Sequence, residues 1–236
     1  MAIFPVTCRG VVVRFGATRA LDGLDLEIPG GRITALVGPN GAGKTTTLRL
    51  LAGLVPASRG EARVLGLNPW AQPVAVRRRL GLLPDRPVLP AHLSVLELVR
   101  LRAALYGLTR TELPPIVTAA LTELAVDDLS QAWCGALSHG QAQRVALAAV
   151  LAPGPEVLLV DEPMTALDLE AQVAVRASLR RRADDGATVV VTTHTIGHVA
   201  ALADHVVRLA AGRVLGEREG TRDVSELEEW MLASSS

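Results

Sequence analysis

Short apolar runs broken by Gly and Pro fill the first third of the chain, while apolar residues at helical spacing mark its middle. Val11-Val12-Val13-Arg14-Phe15 and Leu24-Asp25-Leu26-Glu27-Ile28 read as strands, bounded by turn signals at Gly16 and Pro29-Gly30-Gly31. They predict an antiparallel piece at the start of the chain. Ile33-Thr34-Ala35-Leu36-Val37 reads as a buried strand. Residues 62–67 and 80–83 predict two more short strands. From Ser94 to Tyr106 the positions Val95, Leu98, Val99, Arg102 and Leu105 recur at helical spacing, with Ser94 as N-cap and Glu97 at the third position. Pro114-Pro115 is expected to interrupt this helical stretch, which resumes over Ile116 to Leu124.

After the middle stretch the strand and helix alternation returns. Val157 to Val160 reads as a strand, Leu169 to Arg182 as a helix, and Ala187 to Thr193 as a β-branched strand ending at His194. Val206 to Leu209 and Arg213 to Leu215 predict a hairpin across Ala211-Gly212. A last helix is expected over about Glu226 to Leu232, with Ser225 as cap and Glu228 three residues on, and residues 234–236 read as a frayed tail. The whole pattern predicts one α/β domain over 1–236. It has a mostly parallel core sheet, a helical subdomain at about 86–152, and a C-terminal helix and tail at about 217–236.

One stretch inside this pattern names a ligand. Gly38-Pro39-Asn40-Gly41-Ala42-Gly43-Lys44-Thr45-Thr46 follows an expected strand and opens an expected helix. That is the context in which G-x-x-x-x-G-K-[ST] binds phosphate. Gly38, Gly41 and Gly43 permit backbone conformations that aim successive N–H groups inward, and the helix turns its positive end to the same anion. Lys44 adds a point charge for the β- and γ-phosphates. The Thr45 hydroxyl suits Mg²⁺, a hard cation that prefers oxygen.

Composition narrows the remaining classes. Lysine and arginine total 24, aspartate and glutamate total 24, and the formal net charge of zero argues against a dedicated nucleic-acid binder. The two cysteines, Cys8 and Cys134, are far apart, which disfavours a disulfide framework or a zinc site. The first residues, Met1 to Pro5, carry no signal-peptide pattern, and no apolar run reaches the ~18 residues a membrane helix needs. The expectation is a cytoplasmic protein.

Two further constellations extend the phosphate loop. The Val157–Val160 run ends in Asp161-Glu162, two carboxylates at the end of a strand, where a parallel sheet meets its ligands. Asp161 is expected near Mg²⁺, and Glu162 is placed to take a proton from an attacking water. Leu137-Ser138-His139-Gly140-Gln141 contains a capping box, S-x-x-Q, at the head of an apolar helix, and a capped helix N-terminus is an anion site.

Together these motifs resemble the nucleotide-binding subunit of an ATP-binding cassette (ABC) transporter, over about residues 6 to 215. Gly38 to Thr46 resembles the family's Walker A loop, Leu137 to Gln141 its LSGGQ signature, and Val157 to Glu162 its Walker B strand. Thr165-Ala166-Leu167-Asp168 resembles the D-loop, with Asp168 its aspartate, and Thr192-Thr193-His194 the switch, with His194 its histidine. Phe15 falls where the family places an aromatic on adenine. The resemblance implies a P-loop NTPase core of ABC ATPase type, an N-terminal antiparallel β-subdomain and a helical signature subdomain. It also implies ATP and Mg²⁺ as ligands, a separate transmembrane permease, and a second ATPase subunit in a head-to-tail dimer. Ser138, Gly140 and Gln141 of one copy would then close on the ATP of the other, peripheral to the inner face of the membrane.

Two positions depart from the family pattern. His139 stands where the signature has glycine. Asp85, in Leu82-Leu83-Pro84-Asp85-Arg86-Pro87, stands where the Q-loop has glutamine. Asp85 can reach Mg²⁺ through a water, and acidic residues there resemble exporter-like members. The competing class is an ABC ATPase that transports nothing, for example one in cofactor assembly.

Overall fold

In the computed structural model the described residues are 4–233, so residues 1–3 of the amino-terminal reading and the tail at 234–236 lie outside them. The chain runs β1 (Val6–Phe15), β2 (Thr18–Ile28), β3 (Ile33–Val37), α1 (Lys44–Leu51), β4 (Arg59–Val64), α2 (Pro73–Arg77), β5 (Leu80–Leu83), α3 (Val95–Leu105), α4 (Leu113–Glu123) and α5 (His139–Leu151). It continues through β6 (Val157–Asp161), α6 (Leu169–Asp184), β7 (Thr188–Thr192), α7 (Ile196–Leu202), β8 (His205–Ala210), β9 (Arg213–Glu219) and α8 (Val224–Ala233).

The central sheet has the order β5-β6-β7-β3-β8-β9. The first five strands are parallel and β9 is an antiparallel edge. Every residue of β3, β6 and β7 is buried, which is why these segments read as mostly apolar and β-branched runs without polar alternation. Strand periodicity then divides the core. Leu158 and Val160 of β6 face the helices α3, α4 and α5, where they join Val95, Val99, Leu121 and Val145. Val157 and Leu159 face the other way and meet Leu48 and Leu51 of α1 with Leu21, Leu24 and Leu26 of β2. That second face is roofed by the antiparallel sheet β2-β1-β4.

Several expectations shift in the structure. β2 is longer than the Leu24–Ile28 run, so Phe15 and Thr18 pair across a two-residue turn. The strand expected at 62–67 lies at Arg59–Val64, and the chain then turns through Leu65 and Gly66, both at positive φ. Pro114-Pro115 does not break a helix. Both prolines sit in the first turn of α4, where a missing N–H leaves no bond unmade. The last helix is led by Asp223 rather than Ser225, since Asp223 Oδ1 accepts from the N–H groups of Ser225 (2.9 Å) and Glu226 (3.2 Å). Helices α2 and α7 have no counterpart in the sequence reading. The nearly buried Glu123 of α4 accepts from Ser178 Oγ (2.7 Å) and Arg182 Nη2 (2.8 Å) of α6, a polar anchor between the two helices.

Candidate functional site

The loop after β3 is held in a shape that only glycine allows at two points. Gly38 has φ of 146°, and a Cβ there would lie 2.1 Å from the Leu209 carbonyl oxygen in β8. Gly43 has φ of 104°, with Leu21 Cδ2 and the Ala20 carbonyl oxygen at 2.8 and 2.9 Å from the position of a Cβ. The backbone pins the loop further. Gly212 N donates to Ala42 O, and Asp22 N donates to Gly212 O, both at 3.0 Å. Helix α1 begins at Lys44 with Gly43 as N-cap and no side-chain cap, so its first N–H groups face the loop as anion donors. Lys44 Nζ folds back to donate to Gly38 O (2.7 Å) and Pro39 O (3.1 Å). Burial pushes its ammonium below the usual lysine pKa, opposed by Glu162 and Asp161 nearby.

The carboxylates stand at the same edge of the sheet. Asp161 ends β6 and pairs in register with Thr192 at the end of β7. Thr192 Oγ1 donates to Asp161 Oδ1, and Glu162 N donates to both Oγ1 (3.1 Å) and O (3.2 Å) of Thr192. One threonine therefore positions both acids. Asp161 is buried, whereas Glu162 leaves the strand at φ of 48°, a left-handed conformation that costs a non-glycine residue about 1 kcal/mol. His194 Nδ1 lies 2.8 Å from Glu162 Oε1, with most of the imidazole exposed.

A cleft of about 390 Å³ opens here, lined by Asn40 to Thr46, Asp85, Asp161 and Glu162 on one side and by Thr18, Arg19 and Ala20 of β2 on the other. A second cleft of about 390 Å³ adjoins it under Leu82, Pro84 and Arg86. Thr45, Asp85 and Asp161 line both. These three oxygen-bearing side chains are the ones the sequence singles out for a metal. Among the described residues no three His, Cys, Asp or Glu side chains form a metal cage. A hydroxyl with two carboxylates fits Mg²⁺, which keeps several waters and takes phosphate oxygens as further ligands.

Other expected site residues lie outside this cleft. Ser138, Gly140 and Gln141 start α5, where Ser138 N donates to Gln141 Oε1 (2.9 Å) and Gln141 N to Ser138 Oγ (3.4 Å). Gly140 backs onto the chain beside the expected D-loop, since a Cβ there would meet Ala166 O at 3.2 Å. Asp168 caps α6 by accepting from Ala171 N at 2.8 Å. Phe15 sits at the hairpin end of β1 and is 50% exposed, so it is not a core residue. The sequence reading missed the wall made by Thr18, Arg19 and Ala20, which carries no motif. It also missed the two hydrogen bonds of the Thr192 hydroxyl, to Asp161 and from the Glu162 N–H, although Thr192 stands in the switch segment.

Comparison with known proteins follows the same lines. A family model described as ABC transporter matches residues 21–165. The hemin import ATP-binding protein HmuV of Streptomyces coelicolor is 42% identical over 209 residues, which cover 87% of this chain and 74% of that protein. The SkfA peptide export ATP-binding protein SkfE of Bacillus subtilis is 34% identical, over 81% of this chain and 80% of that one. Relatives are thus named for import and for export alike, and the export expectation drawn from Asp85 gains nothing from them. Among solved structures, an ATP-binding subunit of an ABC transporter aligns with a TM-score of 0.86 at 27% identity, covering 96% of this chain and 93% of that one. A dimeric ATP-binding cassette in a post-hydrolysis state, bound to ADP and Pi, aligns with a TM-score of 0.81 at 26% identity, covering 91% of this chain and 98% of that one.

Proposed function

This chain belongs to the ABC transporter family, and on that premise we propose that it is the ATPase subunit that drives a separate membrane permease. The observation that carries the reading is the meeting of Thr45, Asp85 and Asp161 at the junction of the two clefts, with Glu162 beside them. Thr45, Asp85 and Asp161 would hold Mg²⁺, which would offset the charge of the phosphates. The rest is the work of the chain. Lys44 exchanges its two loop carbonyls for phosphate oxygens, a gain for a desolvated ammonium. The N–H groups of Gly41 to Thr46 cradle the same phosphates, Asn40 lines their entrance, and Phe15 stacks on the adenine. Glu162 takes the proton of the attacking water, and His194 holds its carboxylate in place. Thr192 keeps Asp161 aimed at the metal.

Ser138, Gly140 and Gln141 lie outside the cleft of their own chain, and their helix start is open to solvent. A second copy in head-to-tail arrangement would bring them to the γ-phosphate, with Asp168 and the neighbouring turn at the seam. Closure of that seam excludes water and completes the site. An apolar groove of about 320 Å³ runs past Pro84, Pro87, Val88, Leu98 and Leu101, directly beside Asp85, and suits a permease segment that senses the metal site. No helix among the described residues is long and apolar enough to cross a membrane. The permease would supply the spans and hold this subunit at the inner face.

The test is ATP turnover of the purified chain with Mg²⁺ and with EDTA, alone and in vesicles with a candidate multi-span permease. Turnover that needs Mg²⁺ and rises with the membrane protein is expected. Turnover unaffected by that protein, with no co-purification, would make this a soluble ATPase.

A further inference from the structure

Among the described residues lining the phosphate cleft, Lys44 and Arg19 are the two cations, and Arg19 belongs to no motif. Three carboxylates, Asp85, Asp161 and Glu162, face them, so the lining is net negative before a polyanion enters. Arg19 stands on β2 directly after Thr18, which pairs with Phe15 across the hairpin turn, and directly before Ala20, whose carbonyl packs on Gly43. A nucleotide with its base on Phe15 and its terminal phosphate at Lys44 must lay its middle along this wall.

The guanidinium is held ready for that contact. Arg19 Nη1 donates to Asp22 Oδ1 at 2.8 Å, and Arg213 Nη2 of β9 donates to Asp22 Oδ2 at 2.7 Å. The two arginines hold Asp22 ionised, so its grip on Arg19 persists through neutral pH. One of the five guanidinium N–H donors is used on Asp22, and the Arg19 side chain, 53% exposed, lines the cleft. A planar fork with donors to spare is matched to phosphate oxygens.

We infer that Arg19 is a second cationic binding residue for the nucleotide, donating to its α- and β-phosphates while Asp22 fixes its orientation. This rests on the reading of the cleft as an ATP site. ADP, which keeps both phosphates, is held by Arg19 as well as ATP is.

The experiment is calorimetric titration of the full chain with ATP and with ADP, for wild type, Arg19→Ala, Arg19→Lys, Arg213→Ala and Lys44→Ala, with melting curves of each nucleotide-free protein. Arg19→Ala is expected to raise the Kd for ATP and ADP by the same factor, about tenfold, the scale of one charge-assisted hydrogen bond. Arg19→Lys should recover part of the loss. Arg213→Ala removes the other partner of Asp22 without touching the cleft and should stay within about twofold of wild type. Unchanged affinity in Arg19→Ala would overturn the inference, as would a loss confined to ATP. An equal loss in Arg213→Ala would make the three-residue network structural only. Should Arg19→Ala fail to fold, Arg19→Gln keeps the stem and is read against the same expectations. Failure of the wild type to bind either nucleotide, or unchanged binding in Lys44→Ala, would instead defeat the ATP-site reading itself.

Discussion

His194 Nδ1 and Glu162 Oε1 lie 2.8 Å apart, although 32 residues separate them in the chain. The contact spans the ends of two parallel strands, and Thr192 secures both ends by bonding Asp161 and the Glu162 N–H. The carboxylate proposed as the base is thus met by an imidazole, while the Thr192 hydroxyl fixes the backbone from which it hangs. Glu162→Gln keeps the shape and removes the basicity. It should retain ATP binding and lose turnover by about 10²–10⁴-fold, with an ATP-bound dimer trapped on size exclusion. His194→Ala should also retain ATP binding, with a smaller loss. Near-normal turnover in Glu162→Gln would remove that residue from the role.

Gly38 leaves no room for a side chain, because the Leu209 carbonyl sits where a Cβ would go. Gly38→Ala must therefore displace either the loop or β8. A loss of at least about 2 kcal/mol in urea unfolding is expected, together with loss of nucleotide binding. A variant with wild-type stability would show that the loop relaxes freely.

Phe15 is half exposed at a hairpin end, so truncating it removes little core packing. Phe15→Ala should leave the unfolding midpoint nearly unchanged and weaken ATP and GTP alike, by about 1–3 kcal/mol, because stacking tolerates either base. A drop in stability with unchanged affinity would refute the stacking role.

Asp85 lines both clefts, and Arg86 Nε lies 3.9 Å from its Oδ2. Asp85→Ala should leave ATP affinity within a few fold and shift the Mg²⁺ dependence of turnover to higher concentrations. It should also reduce stimulation by the permease. Superimposable Mg²⁺ titrations for the two forms would separate Asp85 from the metal.

Asp204 accepts from Ile33 N at 2.9 Å and from Arg180 Nη1 at 2.7 Å, tying α6 and the start of β8 to β3. Burial by itself raises its pKa, but the Ile33 N–H, Arg180 and Arg32 outweigh it and hold the carboxyl below the usual aspartate value. The folded value is below the unfolded one. The stability it adds is therefore full above the unfolded pKa of about 3.9 and is lost as pH falls below it. Asp204→Asn should be less stable than wild type at pH 7, and the gap should close as pH drops from about 4 toward 2. Parallel stability curves for the two forms would contradict this linkage.

The residues of the phosphate loop, the two capping boxes and the acidic pair after the Val157 run were legible in the chain because each depends on backbone geometry within a few residues. A glycine must take positive φ wherever its turn lies, and a serine caps the helix that follows it. Even locally the reading has an edge. Pro114-Pro115 can end one helix or begin another, and what decides is that the chain turns before Leu113 and so leaves both prolines in a first turn. The tertiary structure alone decided which local pieces share a cleft. The strand order places β7 between the loop strand β3 and the acid strand β6, which is what brings Thr192 under Asp161. The roof of β2 supplies Thr18, Arg19 and Ala20, residues with no motif, while Ser138 and Gly140 stay outside the cleft despite theirs. Sheet order and layer packing follow from burying apolar faces far apart in the chain, and no short-range pattern encodes which distant strand will be the neighbour.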